Sequence, residues 1–124
     1  MTKLENLTKN LEQANQKLEE ALQLESTEIH KDATIQRFEF VFELTWKTIQ
    51  AYLKNQGIDS FSPRDCLREG GKSNLLDNVE IWIEFLNNRN LIAHTYNQET
   101  ADKVYNTAQK MPKEVNKILE NIKS

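Results

Sequence analysis

The sequence predicts an all-α fold, an antiparallel up-and-down bundle of about five helices forming one domain over residues 1–124. Three observations carry this. Apolar residues recur at three- and four-residue spacing along most of the chain, no stretch alternates like a half-buried strand, and helix-capping residues punctuate the periodic segments. A chain of this length buries about two thirds of its unfolded surface, enough for one core without disulfides.

Leu4, Leu7, Leu11, Ala14, Leu18 and Ala21 form a narrow apolar stripe on a first helix of roughly twenty residues, with Glu5 and Lys9 as an i,i+4 pair outside. The stripe reads as one helix of the bundle; at about three heptads it sits at the lower limit for a coiled coil. Glu25 to His30 is a polar break, with His30 expected as a solvated loop residue. The second helix is expected to start near Asp32 as N-cap and to end at Gly57, which tolerates a left-handed backbone at C′. Its apolar residues, from Ile35 and Phe38 through Val41, Phe42 and Trp46 to Leu53, cover most of its circumference. Such a helix is either central to the bundle or shares a face with a partner subunit.

Ser62-Pro63-Arg64-Asp65 starts a short third helix with a hydroxyl cap, a proline in the first turn and an acid at the third position. It ends at Gly70-Gly71. No Gly-Lys-Ser/Thr follows the glycines, so they are a connection and not a phosphate loop. A fourth helix from about Leu75 or Asp77 places Val79, Trp82, Ile83, Leu86 and Asn90 on one side. Asn97 to Thr100 caps a last helix in which Pro112 removes a hydrogen bond to Ala108 and forces a kink or brief interruption.

Composition narrows the function. The net charge of -3 argues against coating nucleic acid by electrostatics alone, which requires a basic stripe. Basic residues gather at Arg64, Arg68 and Lys72 and again from Lys103 to Lys123, while Glu80, Glu84 and Glu99 flank the stretch described next. Cys66 is the only cysteine, so no internal disulfide forms, and it reads as a small buried hydrophobe. No signal peptide or membrane span is apparent, so a cytoplasmic protein with no membrane contact is expected. No metal-ligand cluster and no cofactor motif are present.

Asn87 to Tyr96, NNRNLIAHTY, concentrates chemistry found nowhere else in the chain: Arg89, a permanent cation suited to phosphate; His94, able to give or take a proton; and Tyr96, a modifiable hydroxyl. Residues five apart on a straight helix point about 140° apart and lie about 7.5 Å apart along the axis, so Arg89 and His94 cannot share a face. Either the helix ends near Ala93 and the chain turns, or the side chains meet counterparts across a twofold interface. The pattern places a helix exit between Ile92 and Asn97. A plainer alternative pairs Arg89 with Glu84 or Glu99 and leaves His94 at the helix end.

FEFVFELTWKTIQAYLKNQGI, SPRDCLREG and WIEFLNNRNLIAHTYNQETA together resemble the nucleotidyltransferase substrate-binding protein family of the HEPN superfamily, from about Phe38 to Tyr105. Arg89, four residues, His94, one residue and Tyr96 match the RX4HXY signature of its HepT-like toxins. The resemblance implies a homodimeric helical bundle whose Arg and His residues line a cleft at the interface, paired with a separate MNT-type nucleotidyltransferase. It further implies one of two activities. In the first, the protein is a toxin and metal-independent ribonuclease using Arg89 and His94, supported by Asn90, which its antitoxin partner silences by adding AMP to Tyr96. In the second, it is a non-catalytic subunit presenting a substrate or nucleotide to the transferase. RNA or a nucleotide is accordingly the expected ligand.

Overall fold

Thr2 opens the first helix by accepting a hydrogen bond from the Glu5 backbone N–H while the Glu5 carboxylate reaches back to the Thr2 N–H, a reciprocal cap. Glu5 is thus engaged at the helix start and forms no ion pair with Lys9. The structure, a computed structural model, describes residues 1–124 as six helices and no strands. They are α1 (Lys3–Leu22), α2 (Glu28–Asn55), α3 (Pro63–Lys72), α4 (Val79–His94), α5 (Gln98–Ala108) and α6 (Met111–Lys123). The all-helical class expected from the periodicity is what forms. No helix is long and apolar enough to cross a membrane.

The sixth helix comes from Pro112. The last segment breaks at Gln109 and Lys110 and restarts at Met111, so the proline falls in the first turn of α6, where its missing N–H costs no intrahelical bond. Met111 and Pro112 are both buried, and the Pro112 carbonyl accepts from Asn15 Nδ2 at 3.3 Å, which fixes the break against α1.

Two helix starts differ from expectation. Thr27 caps α2 by accepting from the His30 N–H, so α2 begins at Glu28 and Asp32 lies inside its second turn. His30 is therefore a first-turn residue, its Nδ1 bonded to the Glu25 carbonyl at 2.6 Å. A threonine hydroxyl supplied the cap that the sequence reading gave to a carboxylate. Asn78 caps α4, so Leu75 and Leu76 enter the core ahead of that helix. Within α4 the buried amide is Asn88, whose Nδ2 donates to the Glu84 carbonyl at 2.8 Å; Asn90, expected on the inward side, is exposed.

α2 is the central helix. α1, α3, α4, α5 and α6 all pack on it, and Phe38, Val41, Phe42, Ile49 and Leu53 are fully buried along its length. α1 and α6 run antiparallel, as Lys123 pairs with Glu12 at 2.9 Å at one end while Asn116 reaches Glu19 at the other. Gly57 takes φ 81° just past the end of α2, as its position required. Gly71 lies inside the last turn of α3, and a Cβ there would meet Val79 Cγ2 at 2.2 Å, so the glycine allows α3 and the start of α4 to close on each other. Cys66 is buried and its thiol donates to Ser60 Oγ at 3.2 Å; burial pushes its pKa up, in keeping with an inert core thiol.

The aromatic centre joins α2 to α4. Phe85 stands edge-on to Trp82 with centroids 4.9 Å apart and edge-on to Phe38 at 6.1 Å, while Trp82 packs on Phe42 at 6.4 Å. All four rings are sealed from solvent. Phe85→Ala should therefore cost about 3–5 kcal/mol, the range for truncating a buried phenylalanine. Urea denaturation checks this, and a loss under about 1 kcal/mol would mean that this aromatic cluster does not hold α4 to α2.

Candidate functional site

Arg89, Asn90 and His94 all lie on one continuous helix, because α4 keeps its hydrogen bonding through His94 and the Thr95 N–H still bonds the Leu91 carbonyl at 2.9 Å. The exit falls within the span expected. Thr95 is extended, with φ -140° and ψ 103°, and Asn97 caps α5 in a reciprocal arrangement with Thr100. Since the helix does not turn before His94, a turn cannot bring Arg89 and His94 together within one chain. Their side chains diverge by about 140° around α4. His94 is exposed and makes no hydrogen bond or ion pair.

Arg89 faces α2. Its Nη2 meets Glu43 Oε1 at 2.6 Å, and the guanidinium carbon lies 5.5 Å from the centroid of the Phe42 ring. The Arg89 side chain is 25% exposed and that of Glu43 37%, so the pair sits at the edge of the core and keeps one side open. Glu43 is held from its other oxygen by the Trp46 indole N–H at 3.1 Å. The partner is thus neither Glu84 nor Glu99; Glu84 instead pairs with Lys110 at 3.7 Å. Arg89 Nε is buried with no acceptor.

A second carboxylate stands close by. Burial pushes the Glu39 carboxyl up, the Arg89 charge pulls it back, and neighbouring Glu43 raises it again. On the outer side, Arg89 and Asn90 line a shallow hollow of about 470 Å³ with Leu86 and with Ser62, Pro63 and Arg64 of the α3 start. Two arginines, an amide and a helix N-terminus border this hollow, a donor set suited to an anion.

Tyr96 faces the same side of α2 further along. Its hydroxyl donates to Asp32 Oδ1 while 57% of the residue remains exposed. The Tyr96 pKa is pushed up to about 12, first by that hydrogen bond and then by partial burial and the charges of Asp32, Glu39 and Glu28. Glu28, Asp32, Glu39 and Glu43 are spaced four, seven and four residues apart, which keeps them within about 60° of one face of α2. Asp32 and Glu43 are about 16 Å apart along the axis. The RX4HXY stretch is therefore fastened to one acidic stripe at two points, by an arginine and by a tyrosine. Sequence reading missed this stripe. Its signal was the four-seven-four spacing of acids on a helix otherwise apolar on most sides.

The fold and this site define the class of the protein: an all-helical bundle whose candidate site lies on and just past α4, braced by acids of the central helix. Over residues 2–124 the sequence matches the family described as nucleotidyltransferase substrate binding protein like, and the chain belongs to that family. A Haemophilus influenzae protein named probable ribonuclease HepT is 36% identical over 76 residues, covering 57% of this chain and 52% of that protein. The chain thus aligns with about half the length of this curated relative. A Thermus thermophilus protein of known crystal structure superposes with a TM-score of 0.86 at 30% identity, over 92% of this chain and 99% of that one. A Haemophilus influenzae protein whose structure is reported to reveal the fold of a substrate binding domain of a nucleotidyltransferase gives 0.71 at 26% identity, over 98% and 97% of the two chains.

The Tyr96 environment makes a direct pH prediction. The folded protein holds the Tyr96 proton to about pH 12, against an ordinary value of 10.0. A raised folded-state pKa stabilises the fold fully below the unfolded value and loses that contribution as pH rises from about 10 to about 12. Tyrosinate absorbance during alkaline titration, with Tyr96→Phe identifying the signal, should show this late step. Asp32→Asn should move it down by about one unit or more, because the carboxylate charge is gone. A Tyr96 step near pH 10 in the wild-type protein would contradict the geometry.

Proposed function

We propose that this chain is the HepT-like toxin of a toxin and antitoxin pair, a homodimeric ribonuclease that needs no metal, and that its partner is an MNT-type nucleotidyltransferase. The observation that carries the reading is the placement of Arg89, Asn90 and His94 in the last two turns of α4, with Tyr96 just past its end. Arg89 is aligned by Glu43 beside an open hollow, Asn90 lines the same hollow, and His94 is exposed and unengaged. The resemblance to a relative named as a probable ribonuclease agrees with it.

In this mechanism a 2′-hydroxyl of the RNA attacks the adjacent phosphorus, so the substrate supplies its own nucleophile. His94 takes the hydroxyl proton or delivers one to the departing 5′-oxygen, and Arg89 stabilises the extra charge on the phosphorane. Asn90 orients the phosphate. Because Arg89 and His94 diverge on α4, the working pair is completed across a twofold axis, with residues of both copies lining one cleft. The protein should sediment at twice its 14.5 kDa chain mass. The dimer should cleave single-stranded RNA in the presence of chelator. His94→Ala and Arg89→Ala should each lower the rate by at least about 100-fold, the scale of a lost general acid or a lost charge stabiliser. RNA left intact by the wild-type dimer, or cut equally by the His94→Ala protein, would overturn the ribonuclease reading.

Tyr96 is the control point in this scheme. An AMP group on the hydroxyl of this exposed residue adds bulk and negative charge beside the motif and blocks the cleft. Intact mass after co-expression with the nucleotidyltransferase should rise by one or more AMP units, and the Tyr96→Phe protein should show no gain. An unchanged wild-type mass would remove Tyr96 as the acceptor.

One observation favours a second reading, a non-catalytic subunit that presents a substrate or nucleotide to the transferase. Arg89 is already neutralised by Glu43 with Glu39 beside it, and the whole chain carries a net charge of -3, a poor setting for gripping long RNA. Nucleotide transfer by the pair, by neither protein alone and without RNA cleavage, would select this reading.

A further inference from the structure

Tyr96 is more than half exposed, yet its hydroxyl is not free. It donates to Asp32 Oδ1, so the proton that must leave the phenol before the oxygen can form a new bond already lies on the line to a carboxylate. Asp32 sits in the second turn of α2, a rigid helix, and is itself exposed with room to accept that proton. We propose that Asp32 is the general base for nucleotidyl transfer onto Tyr96, an assignment that rests on Tyr96 being the acceptor as described above.

The step balances without any redox partner. The Tyr96 oxygen attacks the α-phosphorus of a nucleoside triphosphate held by the transferase, and an oxygen to phosphorus bond forms. The bond from that phosphorus to the bridging oxygen of the pyrophosphate breaks, the pyrophosphate leaves with the bonding pair, and the phenolic proton passes to the Asp32 carboxylate. The surroundings disfavour the other route, a preformed phenolate. Asp32, Glu39 and Glu28 all bring negative charge to the phenol and hold its proton on. With the phenol protonated and bonded to Asp32, proton loss accompanies bond formation, the situation in which a positioned base contributes most.

The same arrangement has a consequence for the product. Once the hydroxyl is esterified it can no longer donate to Asp32, and the new phosphodiester carries negative charge against Glu28, Asp32 and Glu39. The one side-chain tie from Tyr96 to α2 is lost, and the acidic stripe repels the modified side chain.

The test is the rate of mass gain on Tyr96 with ATP and saturating transferase, in wild-type, Asp32→Asn, Asp32→Ala and Asp32→Glu proteins. Asparagine keeps an oxygen that accepts the hydroxyl hydrogen bond but cannot take up the proton. Asp32→Asn should therefore slow modification by about 100- to 10,000-fold, the range for a lost general base, in a protein that still unfolds cooperatively on heating. Asp32→Ala should be equally slow, and Asp32→Glu should recover part of the rate. Modification of the Asp32→Asn protein at the wild-type rate would overturn the base assignment and leave Tyr96 as acceptor. A normal rate in Asp32→Asn with a slow one in Asp32→Ala would show a tether in place of a base. No mass gain on the wild-type protein would instead overturn the reading of Tyr96 itself, along with everything built on it.

Discussion

α2 is apolar on most sides from Ile35 to Leu53, and a helix of that kind is stable only when other helices wrap it. This requirement shapes the bundle. α1, α3, α4, α5 and α6 each cover part of it, and α4 does so through the ring cluster of Phe38, Phe42, Trp82 and Phe85. Covering α2 also decides where the chemistry lies. Phe42 sits under the Arg89 guanidinium, and the next residue, Glu43, takes its charge. Core and candidate site share neighbouring positions on one helix, so packing that seats α4 also aims its arginine.

The acids of α2 give the site its resting character. Arg89 is matched by a carboxylate, and Tyr96 keeps its proton against another. A charge-assisted bond at the edge of a core is stronger than one in open water but remains exchangeable, because solvent reaches one side. An anionic ligand therefore meets an arginine that is already oriented and whose charge it must share with Glu43. The cost of assembling a long, flexible side chain is met by the fold before any ligand arrives. The same carboxylates keep the local field negative, which disfavours indiscriminate binding of polyanions.

Much of the fold was legible in sequence because its signals are local. Ser62 with Pro63, Gly57 past the end of α2, and the exit between Ile92 and Asn97 each depend on a few adjacent residues, and the structure has them where the spacing put them. The errors arose where two local signals competed. Thr27 and Asp32 are both good caps, and the chain uses the earlier one, with the Thr27 hydroxyl accepting from the His30 N–H. Pro112 could kink or break its helix, and the burial of Met111 and Pro112 against α1 favoured the break, so one expected helix became two.

For the site, the sequence by itself determined which side chains carry chemistry and that Arg89 and His94 cannot meet on one straight helix, since both follow from residue identity and the helical repeat. The spacing of Asp32 and Glu43 is also in the sequence, but with Asp32 expected as the cap of α2 and not inside it, that acidic face went unread. Only the tertiary structure decided that Arg89 lies on Glu43 and Tyr96 on Asp32, residues 46 and 64 positions away in the chain. The reason is physical. Pairing across such separations depends on how two helices seat against a shared core, and that seating is set by the summed packing of many side chains, which no local spacing records.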